Sequence, residues 1–387
     1  MENRLRGGSF MKIIIAPDSF KGCLSAKQAT LAIEKGIKNA VNNDKLEIVR
    51  VPMADGGEGT VEAIIEAAGG NIIIDDALGP LGNKTSSFYG VLPDNTAVIE
   101  MAAASGLNLI DASERNPLRT TTYGTGQLIL SALKKGCKRF IIGIGGSATN
   151  DGGAGMAQAL GAKLLDRDGK EIGFGGGELD KVARIDLSAL NPGIKNAKFT
   201  IASDVKNPLC GPEGASYVYG PQKGATPDMV KTLDNNLRHF AEVIKKDMGK
   251  DLLNMPGSGA AGGLGAGLLA FLDADIQSGI NIVIEVANLE EQIKDADFVI
   301  TGEGATDYQS MFGKVPFGIG QLAKKWDKPV LCISGSLGAG YEKLYDIGIT
   351  ALFSIVNKPM TLDEAINRGQ ELLVQETENI FRLIVAR

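Results

Sequence analysis

The chain has 387 residues, 44% of them hydrophobic and 22% charged, with a formal net charge of −6 and a pI near 5.2. That size allows two or three domains of about 150 residues with ample core. An acidic balance without a basic block argues against nucleic-acid and anionic-membrane partners, and no run reaches the ~18 strongly apolar residues of a membrane span. Cys23, Cys137, Cys210 and Cys332 are scattered with no CxxC, and His239 is the single histidine. A zinc site and a Ser-His or Cys-His nucleophile are therefore disfavoured, and a reducing cytoplasm is expected.

Residues 1–10 read as a tail, with the fold beginning at Met11. "KIIIAPDS" is a short buried strand, and "SAKQATLAIEKGIKNA" has helical apolar spacing. "KLEIVRVPMADGGEGT" is a second strand entering a glycine turn, and "TVEAIIEAAGG" a second helix with a glycine stop. This βαβα opening predicts parallel strands with right-handed crossovers. The middle differs. "NIIIDDALGP", "KTSSFYGVLPDNTAVIEMA" and "FTIASDV" read as strands, some joined as hairpins around "PDNT". "YGTGQLILSALKKG" and "DMVKTLDNNLRHFAEVIKK" read as helices, with His239 on a helix surface, and "GSGAAGGLGAGLLAFL" as a closely packed internal helix. The parallel style returns with "ADFVITGEG", "KPVLCISGSLG" and "GITALFSIV". One long closing helix runs over "TLDEAINRGQELLVQETENIFRLIVA", with Thr361 and Glu364 spaced as a capping box. The fold class expected is α/β in two domains. A discontinuous parallel-sheet domain (11–75 and 288–387) carries an inserted α/β domain (76–287).

The stretch "FIIGIGGSATNDGGAG", residues 140–155, concentrates the chemistry. Glycines between strand and helix let backbone N–H groups converge and let a ligand approach, so the stretch reads as an anion site, most often for phosphate. Two other readings stand beside it. One is a plain tight turn. The other is a dinucleotide site using Gly143, Gly145 and Ala148 with Asp166 beyond, although "TNDGG" lengthens that loop past a standard βα turn. Walker A and protein-kinase motifs are absent from the sequence. Acids fall repeatedly just after strands: Asp18, Asp55 with Glu58, Asp204, and Glu303 with Asp307. Lys21, Lys223 and Lys314 lie in the same loops. Carboxylates, glycines and lysines together point to a metal–phosphate centre of the kind Mg²⁺ forms.

The stretches "IIIAPDSFKGCLSA", "VPMADGGEGT", "RNPLRTTTYGTGQLI", "GIGGSATNDGGAGMAQALGA", "SDVKNPLCGPEGAS", "YGPQKGAT", "GSGAAGGLGAGL", "TGEG" and "GKVP", in this order from Met11 onward, resemble the bacterial type I glycerate kinases. The resemblance implies a Rossmann-like form for the discontinuous domain and phosphorylation of D-glycerate by ATP with Mg²⁺, on the 2-hydroxyl. It implies small-molecule partners only and leaves the oligomeric state open. On this reading Gly145, Gly146, Ser147, Thr149, Asn150 and Lys223 hold the nucleotide. Asp151 and Asp204 bind the metal or orient the attacking hydroxyl. Asp18 and Lys21 act with them, and Ser19, Asp55, Glu58, Glu303, Asp307 and Lys314 hold glycerate. The sequence departs from the pattern at Ala305, where an arginine is expected after "TGEG". A glycerate-binding sensor without turnover and an NAD-dependent dehydrogenase are the alternative functions.

Overall fold

The computed structural model describes residues 11–41 and 46–386, so the tail expected at 1–10 lies outside it. The protein is α/β, in two compact units. Of the described residues, the first unit takes those up to Asp55, Glu62–Gly69 and everything from Ile280 on; the second takes Gly56–Val61 and Gly70–Gly279. The joints expected near 75 and 288 compare with crossings at 69/70 and 279/280. The short segment Gly56–Val61 also counts with the second unit.

The first unit is built on a five-stranded, wholly parallel sheet. Its order is Ala351–Ser354, Val330–Ser334, Phe298–Thr301, Met11–Ile15, Leu46–Arg50. The central strands are continuous apolar runs because both faces are covered: Ile13, Ile14 and Ile15 are all buried, as are Phe298–Thr301 and Val330–Ser334. The helix Ala26–Ala40 begins with a complete capping box. Ser25 Oγ accepts from the Gln28 amide, and Gln28 Oε1 accepts from the Ser25 amide. Its buried face (Ala29, Ala32, Ile33, Ile37) joins the same core as Leu372, Leu373, Ile380 and Phe381.

The single closing helix is a correction. The structure has two helices, Leu362–Asn367 and Gly369–Val385, broken at Arg368. Gly369 sits against Cys23 so closely that any Cβ there would collide with the thiol. The capping box is half made: Thr361 Oγ1 accepts from the Glu364 amide. The Glu364 carboxylate instead pairs with Lys358 and Arg368.

The second unit has a six-stranded mixed sheet. Its order is Asp275–Gln277, Lys198–Ala202, Arg139–Gly143, Thr96–Glu100, Lys84–Val91, Asn71–Leu78. The first four strands are mutually parallel, and the last two continue antiparallel. The "PDNT" turn forms the expected hairpin, with Asn95 in the left-handed region. The internal "GSGAAGGLGAGLLAFL" segment becomes a short turn followed by the buried helix Leu264–Phe271. Among the described residues, no helix is long and apolar enough to cross a membrane.

Glycine positions differ in why they exclude a side chain, and this can be measured. A Cβ at Gly302 would collide with the Ile333 carbonyl, whereas Gly22 has a positive φ of 76° but open space. Gly302→Ala is expected to lower stability in urea unfolding by about 2–3 kcal/mol through overpacking. Gly22→Ala should cost only the left-handed backbone penalty of about 1 kcal/mol. Equal losses at both sites would contradict the packing argument.

Candidate active site

In the second unit the stretch 140–155 leaves the Arg139–Gly143 strand and ends in a helix of six residues, Ala154–Ala159. Only Gly145 and Gly146 reach solvent; Ser147 through Ala157 are buried. The lone carboxylate of the stretch explains the burial. Asp151 is 0% exposed. Its Oδ2 accepts from the Thr122 amide and the Thr122 hydroxyl, both at 2.8 Å, and from the Gly155 amide at 3.3 Å. Its Oδ1 accepts from the Gly153 amide at 3.1 Å. Thr122 is the N-cap of the helix Tyr123–Lys134. One carboxylate therefore closes the positive ends of two helices, satisfying amides that would otherwise be orphaned. Burial pushes the Asp151 carboxyl above the usual range, and the Thr122, Gly153 and Gly155 donors oppose that rise.

The glycines after Asp151 serve packing. Gly152 and Gly153 have φ of 62° and 78°. Their Cα atoms lie against Phe240, Leu237 and Gly267, where no Cβ fits comfortably. Ahead of Asp151, Gly145 donates to the Gly56 carbonyl at 3.0 Å, and a Cβ on Gly145 would press into Gly57. The "DGGEG" turn thus lies on the carboxyl ends of the sheet. Two glycine turns leave Gly57, Glu58, Gly59, Gly145 and Gly146 at the surface, with Asp204 exposed after the Lys198–Ala202 strand.

Of the residues expected to hold nucleotide, Gly145 and Gly146 are accessible. Ser147, Thr149, Asn150 and Lys223 are not, being at most 6% exposed. They bond to one another and to their surroundings. Lys223 Nζ donates to the Thr149 carbonyl and to Ser147 Oγ. The Thr149 amide donates to Ser147 Oγ, and Asn150 Nδ2 to Ser216 Oγ. The dinucleotide pattern loses its geometry here. Ala148 is buried, and Asp166 closes a turn by accepting from the Asp168 and Lys170 amides. Sequence reasoning missed Glu100. It is buried at the end of its strand and accepts from the Gly59 and Val61 amides, at the start of the helix Thr60–Ala68. Its signal was the same acid-after-strand pattern that singled out the others.

The first unit gathers a second group at the ends of the Met11–Ile15 and Phe298–Thr301 strands. The Asp18 amide donates to the Gly302 carbonyl at 2.8 Å, and Asp18 Oδ1 accepts from the Ser19 amide at 2.6 Å. Glu303 is nearly buried and engaged on both oxygens. Oε1 accepts from Ser310 Oγ and Thr306 Oγ1, and Oε2 lies 3.3 Å from Lys314 Nζ. Asp18 is half-buried. Its carboxyl is pushed up to about 7 by burial first, then by Asp55 and Glu303, against the Ser19 amide and Lys21. Asp307 caps the turn Tyr308–Met311 through the Gln309 amide. Lys21 and Asp55 are exposed, and Ser19 is half-buried. Ala305, exposed, opens a two-residue strand beside this group. His239, expected on a helix surface, is half-buried with its ring bonded to the Val182 carbonyl. Among the described residues, no group of three or more His, Cys, Asp and Glu side chains is arranged to hold a metal by itself.

Both groups sit where parallel strands end, the edge at which α/β folds place ligands. Comparison with known proteins agrees with the motifs that surround them. A model of the glycerate kinase family matches residues 13–385. A glycerate kinase of Halalkalibacterium halodurans is 52% identical over 369 residues, 95% of this chain and 97% of its own. The glycerate 2-kinase of Escherichia coli is 53% identical over 371 residues, 96% of this chain and 97% of its own. A crystal structure of a candidate glycerate kinase 2 from Salmonella typhimurium aligns with a TM-score of 0.87 at 47% identity, covering 98% of this chain and 99% of that one. The chain belongs to the glycerate kinase family.

Proposed function

We propose that this protein is a cytoplasmic kinase that transfers the γ-phosphoryl group of ATP to the 2-hydroxyl of D-glycerate, with Mg²⁺ accompanying the nucleotide. Near-full-length similarity to glycerate kinases, one of them a glycerate 2-kinase, supports the substrate and the position. The four cysteines are free thiols, in keeping with a reducing compartment. The residue on which the chemistry rests is Asp18, half-buried where two parallel strands end. Glu303 is spent on Lys314, Ser310 and Thr306, and Asp307 on a turn. Asp18 alone in this group combines partial exposure with a carboxyl held near 7. A carboxylate with that affinity is matched to accepting a hydroxyl proton near neutral pH.

In this reading the accessible Gly145–Gly146 backbone receives the phosphates. Asp204, exposed after its strand, is a hard oxygen donor of the kind Mg²⁺ takes together with phosphate oxygens and water. Bound there, the ion would offset the negative charge of the phosphates. Asp151 spends both oxygens on protein donors and is read as scaffold rather than as metal ligand. Lys21, whose amide lies beside Gly304, and Lys314 on Glu303 supply positive charge near Ala305 for the glycerate carboxylate. Ser19, Asp55 and Glu58 are proposed to complete the substrate-side hydrogen bonding. The 2-hydroxyl oxygen forms a bond to the γ-phosphorus, the bond from that phosphorus to ADP breaks, and the hydroxyl proton passes to Asp18. Catalysis rests mainly on positioning and charge neutralisation.

Incubation with ATP, Mg²⁺ and D-glycerate, followed by ³¹P NMR, is expected to show 2-phosphoglycerate and ADP, made with Ala305 in place. The 3-phosphate as product would reject the regiochemistry; ADP formation independent of glycerate would reject the acceptor.

Asp18→Asn separates the base from the scaffold. It is expected to lower kcat by about 10²–10⁴ and to remove the acid limb of the kcat profile near pH 7. Stability should move the other way. The folded carboxyl titrates near 7 and the unfolded one near 3.8. Between those values the folded state holds a proton that the unfolded state has lost, so the stability due to this group falls as pH rises through that window. Asp18→Asn should therefore raise Tm at pH 8 and leave it nearly unchanged at pH 3.5. A lower Tm at pH 8 would show that Asp18 is a structural carboxylate.

A further inference from the structure

We propose that Lys223 is a positioning residue: its buried ammonium sits under the Ser147–Asp151 turn and thereby sets the exposed Gly145–Gly146 backbone for ATP. The inference rests on the nucleotide reading above. Lys223 is 2% exposed. It ends the short turn Pro221–Lys223, closed by Gly224 at φ 90°, where a Cβ would collide with the Arg115 carbonyl. Its Nζ donates to the Thr149 carbonyl at 2.5 Å and to Ser147 Oγ at 3.3 Å. Ser147 Oγ also lies 3.2 Å from the Ala261 carbonyl and accepts from the Thr149 amide at 3.1 Å. Ser147 directly follows Gly146, so the ammonium holds the turn one residue from the accessible backbone.

Such a lysine is costly as mere packing. A buried charge loses hydration and is retained where it is paired or well hydrogen-bonded. Here the two acceptors belong to one turn, and Asp151, whose charge acts on the lysine, belongs to the same turn. No direct ion pair with Asp151 is made, because its oxygens face Thr122, Gly153 and Gly155. The other charged group facing this segment is Arg115, whose guanidinium reaches the Gln222 carbonyl. Burial lowers the lysine to about 7, and Asp151 opposes that shift. The strength of the ammonium's grip on the turn therefore changes across neutral pH.

The stability contributed by Lys223 runs opposite to that grip. Above about 7 the folded lysine is neutral while the unfolded one keeps its proton, so stability from this group rises with pH up to the ordinary lysine range. Loss of ATP binding with rising pH cannot then be explained by unfolding at this group.

The test is steady-state kinetics from pH 6 to 9, varying ATP at saturating D-glycerate and Mg²⁺, with Tm followed in parallel. For the unmodified protein, KM for ATP is expected to rise as pH passes 7, with kcat and KM for glycerate little changed. Lys223→Met should raise KM for ATP about tenfold, the scale of a lost charged hydrogen bond, and should abolish its pH dependence. Lys223→Arg should restore part of the affinity without the alkaline rise. Ser147→Ala, a smaller change that removes one acceptor, should raise KM for ATP less. A flat KM for ATP in the unmodified protein overturns the proposal even if Lys223→Met fails to fold. Equal loss for ATP and glycerate in the variants overturns it too. Absence of glycerate-dependent ATP turnover in the unmodified protein would instead reject the kinase reading itself.

Discussion

A single carboxylate organises the second unit. Asp151 accepts four hydrogen bonds, from the N-cap of one helix and from the first amides of another. Removed from water, it is held by helix ends that carry partial positive charge, and those ends are held by it. The packing of Gly152 and Gly153 against Phe240, Leu237 and Gly267 follows from that anchoring, and the Ser147–Thr149 turn is braced by Lys223. What remains accessible is small: the Gly57–Gly59 and Gly145–Gly146 backbone and the exposed Asp204. A glycine-rich strand–turn–helix stretch here supplies its own carboxyl group for the helix end and leaves the turn before it exposed.

The first unit applies the same economy to a different end. Its wholly parallel sheet delivers Asp18 and Glu303 to neighbouring strand ends. Their environments then differ: Glu303 is bonded to a lysine and two hydroxyls, and Asp18 lies half-buried among other carboxylates. Two acids with one sequence signature thereby end in different surroundings, one engaged on both oxygens by protein donors and one partly exposed.

Much of the architecture was legible. Runs such as "KIIIAP" and "ADFVIT" read as strands, and the structure pairs them in parallel, Ile13–Ile15 beside Phe298–Ile300. The apolar spacing of "SAKQATLAIEKGIKNA" announced a helix that the structure shows over Ala26–Ala40. The break at Arg368 was not legible, because it accompanies a close approach of Gly369 to Cys23, more than 340 residues away in the chain. The roles of the glycines were not legible either. A glycine that admits a phosphate and one that admits another backbone look alike in sequence, and Gly153 is told apart only by Gly267 lying against it. The burial of Lys223 was not legible for a related reason. A lysine in a polar loop defaults to solvent, and here the side chain is buried against Ser147 and Thr149, more than seventy residues earlier in the chain. Glu100 escaped notice because the amides it caps, Gly59 and Val61, lie about forty residues earlier in the chain.

The account turns on whether the Asp151 network stands ready without ligand. Amide hydrogen exchange at Thr122, Gly153 and Gly155, with and without ATP and Mg²⁺, tests this most directly. The account requires strong protection of all three amides in the ligand-free protein, unchanged by nucleotide, with any new protection confined to the neighbourhood of Gly145 and Gly146. Fast exchange at the three amides that becomes protected only with ATP would contradict it, because the stretch would then be shaped by the phosphates rather than by its own carboxylate.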